Sequence, residues 1–215
     1  GKIAANAVVG AEKYGVYAYL KHFALNDQEI NRISVLTTYA SEQAIREIYL
    51  KPFEIAVKGF EGTSAAAMSS FNWIGTQPSC GNEYLLNNVL RGEWGFVGMV
   101  ESDYDGSYGY MITDNCIRSG NDLMLGFNSA ETNKLEDKSA TAVKAMRQAC
   151  KNILYTVGNS GYYEGDQDPA GKMSNMTKIF ITVDVAVAAV ILVIEIILIV
   201  RYRKKKKNAQ VTVEE

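Results

Sequence analysis

Residues 100–106, VESDYDG, place three carboxylates within five positions, directly after the short apolar run GFVGMV. A carboxylate at the end of a buried strand could act as a nucleophile, or as a general acid or base, when a bond is cleaved. Taken alone, the segment is more typical of a solvated acidic turn, because acidic residues beside glycine are common in turns. Its interpretation therefore depends on the residues that accompany it.

Other polar side chains also follow short apolar runs. Lys21 and His22 follow YAYL, and Asn72 comes shortly after AAAM. If these runs are parallel strands, their carboxyl ends meet at one edge, and we expect the polar side chains to converge there. Strand alternation places Glu101 and Asp103 on one side, with Asp103 nearer the strand end. A neighbouring ammonium such as that of Lys21 would favour the ionised form of that carboxylate.

Apolar periodicity predicts four strands that alternate with helices. The predicted strands are residues 16–20, 64–71, 96–102 and 122–125, and the predicted helices are residues 41–57, 83–90, 114–119 and 139–155. Such alternation implies parallel strands joined by crossovers, which is the α/β class. A closed eight-stranded barrel needs about 250 residues, so residues 1–157 are expected to form half of one. The opening helical pattern has no cap and begins at Gly1, so we expect a fragment.

Five ordered segments carry a resemblance to a known family. They are KHFALNDQE at 21–29, SEQAIREIYLKPF at 41–53, MSSFN at 68–72, LRGEWGFVG at 90–98 and SDY at 102–104. In this order they resemble glycoside hydrolase family 3, over residues 15–155. The resemblance implies a β-glucosidase-like hydrolase and the C-terminal half of a TIM-type (β/α)8 barrel.

The resemblance also implies roles for individual residues. Asp103 stands at the position of the family's nucleophile, in a mechanism that retains the configuration of the sugar. Lys21 and His22 stand where the family grips sugar hydroxyls. A lone histidine is more often structural, but next to Lys21 at a strand end we favour binding. Arg32 and Glu29 form either a brace for this loop or an ordinary exposed ion pair.

Further pocket residues follow from the same segments. Met68, Asn72 and Asp122 are expected either to line the pocket or to pack beneath it. Tyr104 replaces the tryptophan usual after the nucleophile and keeps an aromatic wall for the substrate. The sequence has one histidine, whereas the family's N-acetylglucosaminidases carry a second in a KHFPGHG-type segment. We therefore expect a β-glucoside or a related β-linked oligosaccharide as substrate.

A retaining glycosidase needs a second carboxyl group about 5 to 5.5 Å from the nucleophile, which acts as acid and then as base. Beside Asp103 no such group is identified, and the resemblance implies that a second α/β domain supplies it. We expect that domain to precede the barrel in a permuted order, outside this sequence, and the fragment alone to be inactive. The alternative is a non-catalytic carbohydrate-binding module on a membrane stalk, which the carboxylate at Asp103 disfavours.

Residues 179–200 are almost entirely apolar, and six basic residues occupy positions 201–207. About 20 apolar residues suffice to cross a bilayer, and a basic flank stays on the cytoplasmic side. We therefore predict a linker at 158–178, a single transmembrane helix at 179–200 and a basic cytoplasmic tail at 201–215. The catalytic domain is expected outside the cell membrane.

Composition argues against other classes of function. The sequence has 22 basic and 24 acidic residues, and six of the basic residues lie at 201–207. The part before the apolar run is therefore mildly acidic, and nucleic acid is not expected as a partner. Cys80, Cys116 and Cys150 are widely spaced, and with one histidine they offer no zinc-type ligand set. No metal and no cofactor are expected. At most one internal disulfide can form, and the spacing does not indicate which pair.

Overall fold

The computed structural model describes residues 1–60, 65–105, 108–126, 134–163 and 175–211. The chain divides into two compact units, Gly1–Gly165 and Asp166–Glu215. Some predicted features lie outside the described residues, namely position 64, Gly106, most of the predicted linker and the end of the tail.

The first unit is built on a parallel sheet. In chain order the strands of the described residues are β1 Ala18–Phe23, β2 Thr37–Thr38, β3 Ala65–Ser69, β4 Trp73–Ile74, β5 Gln77–Pro78, β6 Val100–Asp105 and β7 Leu123–Gly126. The main sheet has the order β1-β3-β6-β7, and each neighbouring pair is parallel. The predicted α/β class with a parallel sheet is confirmed. β1 and β6 begin and end later along the chain than predicted, so both include their polar residues.

A second, smaller sheet was not predicted. β2 pairs in parallel with β4, and β4 pairs with β5 in antiparallel. Each of these strands has two residues, which is too short for an alternating pattern to be recognised.

Helices follow the strands as predicted, with local differences. The α-helices of the described residues are α1 Lys2–Glu12, α2 Glu42–Ala44, α3 Lys51–Gly59, α4 Thr113–Arg118, α5 Ala140–Gly158 and α6 Asn175–Val211. Wider π-helical turns occupy Ile45–Tyr49 and Tyr84–Glu93. Ser41 caps α2, because its Oγ accepts a hydrogen bond from Ala44 N at 3.2 Å. Pro52 lies in the first turn of α3, where a missing N–H costs little.

The core lies where helices cover one face of the sheet. The strands contribute Leu20, Ala67 and Val100, and the second π-helical segment contributes Leu86 and Leu90. β3 can approach β6 closely because Gly98 has no side chain. A Cβ at that position would lie 1.9 Å from the carbonyl oxygen of Ala65.

A buried ion pair joins the second π-helical segment to the starts of β6 and β7. Arg91 Nη2 donates to Asp122 Oδ2 at 2.6 Å, and Arg91 Nη1 donates to Gly98 O at 2.8 Å. Asp122 also accepts from Val100 N at 2.7 Å and from Asn152 Nδ2, on α5, at 2.8 Å. Of the two roles left open for Asp122, these contacts favour packing over lining a pocket.

All three cysteines lie in the described ranges, and none is in a disulfide. Cys80 and Cys116 are fully buried in a small apolar cluster with Tyr110, whereas Cys150 is exposed on α5. A hydrogen bond between the thiols of Cys80 and Cys116 raises the pKa of Cys116, and burial raises it further.

The second unit contains helix α6. Among the described residues, the stretch Thr177–Arg201 is the one helix long and apolar enough to cross a membrane, judged by length and composition. The predicted span at 179–200 falls within this stretch.

Candidate active site

The predicted binding pair lies on an irregular part of β1. The pairing with β3 shifts between Leu20 and Phe23, so Lys21 and His22 together oppose the single residue Met68. This is a β-bulge, in which an extra residue breaks the regular alternation of side chains. A bulge at the carboxyl end of β1 therefore determines the directions of the Lys21 and His22 side chains.

A second bulge in the described residues lies in β6. Ser102 and Asp103 together oppose Met124 of β7, because the pairing shifts between Glu101 and Tyr104. The simple alternation used to place Glu101 and Asp103 on one side does not hold across this shift.

The hydroxyl of Ser102 compensates for the missing ladder contacts at this bulge. It accepts a hydrogen bond from Leu125 N at 3.0 Å and donates to Asp103 O at 2.8 Å. Backbone groups that a bulge leaves unpaired must find other partners, and a short hydroxyl side chain supplies them here. The serine that precedes the predicted nucleophile therefore stabilises the backbone that presents it.

The two bulges bring His22 and Asp103 together. His22 Nε2 lies 3.5 Å from Asp103 Oδ2, and the exposed fractions of the two side chains are 25% and 10%. Asp103 Oδ1 accepts a hydrogen bond from Tyr104 N at 2.8 Å. Asp103 Oδ2 is buried and has no hydrogen-bond partner among the described residues. One oxygen of the carboxylate is thus held by the backbone, and the other is not.

The loop after β1 forms a polar cluster behind His22. Arg32 Nη1 donates to Asn26 Oδ1 at 2.5 Å and lies 2.9 Å from Glu29 Oε1. Asn26 Nδ2 lies 3.4 Å from His22 Nδ1 and 3.3 Å from Glu29 Oε1. The guanidinium of Arg32 also stacks on Phe71, with its Cζ 4.7 Å from the ring centroid. The expected Arg32–Glu29 pair is present, and although Glu29 is exposed, the further contacts of Arg32 with Asn26 and Phe71 favour a brace over an ordinary exposed ion pair.

Burial lowers the pKa of His22 below its ordinary value of 6.5. The carboxylate of Asp103 opposes this effect, and the cations of Lys21 and Arg32 add to it, while Glu29 opposes it weakly. The net direction is downward, so the imidazole is mainly neutral at neutral pH. A neutral ring carries one N–H donor and one acceptor nitrogen.

Lys21 and Asn72 occupy different environments. Lys21 is exposed, and its ammonium takes part in none of the ion pairs of the described residues. His22, and not Lys21, is therefore the residue that lies against Asp103. Asn72 is fully buried, and its Nδ2 donates to Gln28 O at 2.8 Å. This contact ties the loop after β1 to the end of β3, which is a packing role. The predicted contact of Lys21 and Asn72 with substrate stays a prediction.

Met68 and Tyr104 lie beside the nucleophile strand. Met68 is half-buried on β3 and is paired in register with Glu101 of β6. Tyr104 follows Asp103 on β6 and is 36% exposed. Both positions are compatible with a wall around a substrate, and their predicted roles in binding stay predictions.

A polar pair between β1 and β6 was not predicted. The hydroxyl of Tyr19 donates a hydrogen bond to the carboxyl of Glu101, which is 9% exposed. Burial raises the pKa of Glu101, and the hydrogen bond from Tyr19 lowers it by less. Ala66 of β3 is paired with Tyr19, and its small side chain leaves space between β1 and β6. The alanine run in β3 was the available signal.

Comparisons with known proteins agree with the geometry. The sequence model of the Glycosyl hydrolase family 3 N terminal domain matches residues 1–125. Beta-glucosidase B of Emericella nidulans is 34% identical over 181 residues, which cover 81% of this chain and 21% of that protein. Probable beta-glucosidase K of Aspergillus fumigatus is 42% identical over 179 residues, which cover 78% of this chain and 23% of that protein. The chain thus spans about a fifth of the length of these curated relatives.

Solved structures show the same similarity. Beta-glucosidase 3B from Thermotoga neapolitana, in complex with α-D-glucose, superposes with a TM-score of 0.63 at 32% identity, over 74% of this chain and 23% of that chain. The GH3 beta-glucosidase from Bifidobacterium adolescentis superposes with a TM-score of 0.61 at 26% identity, over 76% of this chain and 24% of that one.

Proposed function

Because this chain belongs to glycosyl hydrolase family 3, we propose that it supplies the nucleophile side of a retaining β-glycosidase that releases terminal β-linked sugars. The relatives named as β-glucosidases support a β-glucoside or a related oligosaccharide as substrate. In this proposal Asp103 is the nucleophile, and Lys21, His22, Met68, Asn72 and Tyr104 surround the sugar.

The observation that carries the proposal is the state of the Asp103 carboxylate. Its Oδ1 is held by the backbone N–H of Tyr104, and its Oδ2 faces His22 Nε2 without a hydrogen bond among the described residues. Oδ2 attacks the anomeric carbon, and the bond to the leaving oxygen breaks as the new C–O bond forms. A protonated acid must give its proton to that leaving oxygen, and water then hydrolyses the glycosyl ester.

The acid and base group is proposed to come from outside these residues. The chain spans about a fifth of the length of its curated relatives. The relatives therefore contain further sequence from which such a group can come. The parallel sheet is proposed to be the C-terminal half of a (β/α)8 barrel. In support, β1 and β7 each have one neighbour in the main sheet of the described residues, which leaves both edges for further strands.

We also propose that the enzyme is held in a cell membrane by one helix. The stretch Thr177–Arg201 has the length and composition of a span, and the basic run at 201–207 would remain in the cytoplasm. The domain with Asp103 would then act outside the cell. Neither a metal nor a cofactor takes part in this mechanism, and nucleic acid is not a proposed partner.

The proposal is tested by trapping the covalent intermediate. The probe is a 2-deoxy-2-fluoro β-glucoside with a dinitrophenolate leaving group, which departs without a proton, so attack by Asp103 does not require the missing acid. Peptide mass spectrometry of the 215-residue chain in detergent is expected to find the fluoroglucosyl ester on Asp103. Asp103→Asn should abolish the adduct, whereas Asp105→Asn, which changes a neighbouring acid, should retain it.

The same experiment separates an enzyme from a non-catalytic binding module. A binding module would form no adduct and would bind glucosides equally well after Asp103→Asn, as measured by calorimetry. That combination of results would overturn the proposal, as would an adduct on any other carboxylate.

A further inference from the structure

The amide of Asn26 has one orientation that its neighbours permit. A guanidinium has only donors, so the Asn26 atom 2.5 Å from Arg32 Nη1 must be the acceptor, Oδ1. An ionised carboxylate has only acceptors, so the atom 3.3 Å from Glu29 Oε1 must be the donor, Nδ2. Two neighbours of opposite character therefore determine the same orientation, independently of each other.

This orientation has a consequence for the only histidine of the chain. Asn26 Nδ2 is also the atom that faces His22 Nδ1, at 3.4 Å. The contact is long, but an N–H that faces a second N–H is repelled, so Nδ1 carries the lone pair and in the neutral ring the proton lies on Nε2. His22 Nε2 is the atom that lies 3.5 Å from Asp103 Oδ2. The N–H of the ring is thus directed toward the predicted nucleophile.

We propose that Asn26, oriented by Arg32 and Glu29, is a positioning residue that holds His22 in the Nε2–H form, with this N–H facing the Asp103 carboxylate. The distance of 3.5 Å exceeds that of an ordinary N–H···O hydrogen bond. The N–H therefore acts on the buried Oδ2 through a long electrostatic contact and not through an ordinary hydrogen bond. The opposite form, with the proton on Nδ1, would present a lone pair to a carboxylate and repel it.

Charged groups on every side act on the ring. Asp103 on β6 and Glu29 on the loop favour the imidazolium, whereas Lys21 on β1 and Arg32 on the loop favour the neutral ring. Burial is the largest effect and also favours the neutral ring. Since the ring is mainly neutral at neutral pH, which nitrogen keeps the proton decides whether His22 can donate toward Asp103.

The catalytic meaning of this inference rests on the proposed function, but its test needs no sugar and no turnover. Residues 1–215 are labelled with 15N-histidine in detergent, so the two ring nitrogens of His22 are the only labelled imidazole signals. Above its pKa the ring is expected to show a protonated Nε2 and an unprotonated Nδ1.

The decisive variant is Asn26→Asp, which is isosteric and replaces the donor with an acceptor. Nδ1 is then expected to become protonated, and the pKa of His22 to rise by roughly one unit. Gln28→Glu is the matched control, because it adds the same charge nearby without facing Nδ1 and should leave the Nε2–H form unchanged. Asn26→Ala removes the amide without adding charge and is expected to give a mixture of the two forms. A fluorescence melting curve checks that each variant is folded.

The inference is overturned if Asn26→Asp and Asn26→Ala both leave the Nε2–H form dominant in folded protein. It is also overturned if the unmodified chain has its proton on Nδ1. Either result leaves the trapping of Asp103 unaffected, so failure of the positioning role and failure of the nucleophile are distinguishable.

Discussion

His22 Nε2 lies 3.5 Å from Asp103 Oδ2, although β3 separates the two strands that carry these residues in the sheet. A bulge at the end of each strand makes this approach possible. Burial lowers the pKa of the His22 ring, and the carboxylate of Asp103 opposes this lowering. Changes at either residue should therefore be measurable at the other.

Asp103→Asn is expected to lower the pKa of His22 further. The Asp103 charge is the largest effect that raises this pKa, and its removal leaves burial, Lys21 and Arg32 to lower it. A fall of about one unit is expected, measured by an NMR titration of the single histidine. Asp105→Asn serves as the control and should have a smaller effect. An unchanged pKa in Asp103→Asn would show that the two side chains are not in contact in solution.

Glu101→Gln is expected to stabilise the first unit at neutral pH. The pKa of Glu101 in the folded protein lies above its ordinary value of 4.5 because of burial. The stability contributed by this group is therefore fully present below about 4.5 and is lost as the pH rises through the folded pKa. Glutamine cannot ionise, so the variant should gain about 1 kcal/mol at pH 7 and little at pH 4.

The measurement can be confined to the first unit. Both tryptophans of the chain, Trp73 and Trp94, lie there, so their fluorescence during urea unfolding reports that unit alone. A gain for Glu101→Gln that was the same at pH 4 and pH 7 would contradict the assigned cause.

Asp122→Ala is expected to destabilise the first unit strongly. It leaves Arg91 buried without its carboxylate and removes the acceptor for Val100 N and Asn152 Nδ2. Breaking a buried pair from one side costs roughly 3 to 5 kcal/mol. Glu93→Ala, which breaks the exposed pair with Arg46, should cost less than about 1 kcal/mol. Equal losses in the two variants by urea unfolding would argue against the buried network.

Gly98→Ala is expected to destabilise the sheet, because the new Cβ would lie 1.9 Å from the carbonyl oxygen of Ala65. β3 and β6 would have to separate, at a cost of roughly 2 kcal/mol or more. Gly10→Ala in α1 is the matched control, since nothing lies within 4 Å of its Cβ position. Alanine favours the helix, so that variant should gain about 0.5 to 1 kcal/mol. The two changes are compared by tryptophan fluorescence in urea.

Cys150 is expected to react with iodoacetamide in the folded protein, whereas Cys80 and Cys116 react only after unfolding. Cys150 is exposed, and the other two thiols are fully buried, with the pKa of Cys116 raised by its contact with Cys80 and by burial. Mass spectrometry should find one modified cysteine in native protein and three in urea. Native modification of Cys80 or Cys116 would contradict the described packing of the cluster.

The strands and helices of the main sheet were predictable because their patterns are local. Apolar runs ending in polar residues identified β1, β3, β6 and β7, and their alternation with helices indicated parallel pairing. The bulges were not predictable, because a bulge is a relation between two strands and has no fixed residue pattern. The π-helical turns were not predicted because their apolar residues have nearly the same spacing as in an α-helix. The two-residue strands are too short to show an alternating pattern.

The same distinction applies to the site. That His22 and Asp103 would converge followed from their places at strand ends. Which of two adjacent residues, Lys21 or His22, would face the carboxylate depended on the bulge in β1. The contacts of Asn26 with Arg32 and His22 depended on how the following loop returns to the sheet, which propensities do not specify.

The bulges also predict how these strands tolerate deletion. Removing one residue at 21–22 or at 102–103 would remove the extra residue of that bulge and allow an unbroken ladder with β3 or β7. Such a shortened chain could fold well while its histidine or aspartate pointed elsewhere. At this edge of the sheet, correct folding does not ensure that His22 and Asp103 face each other. Folding and the function of the site should therefore be measured separately in natural or engineered deletion variants.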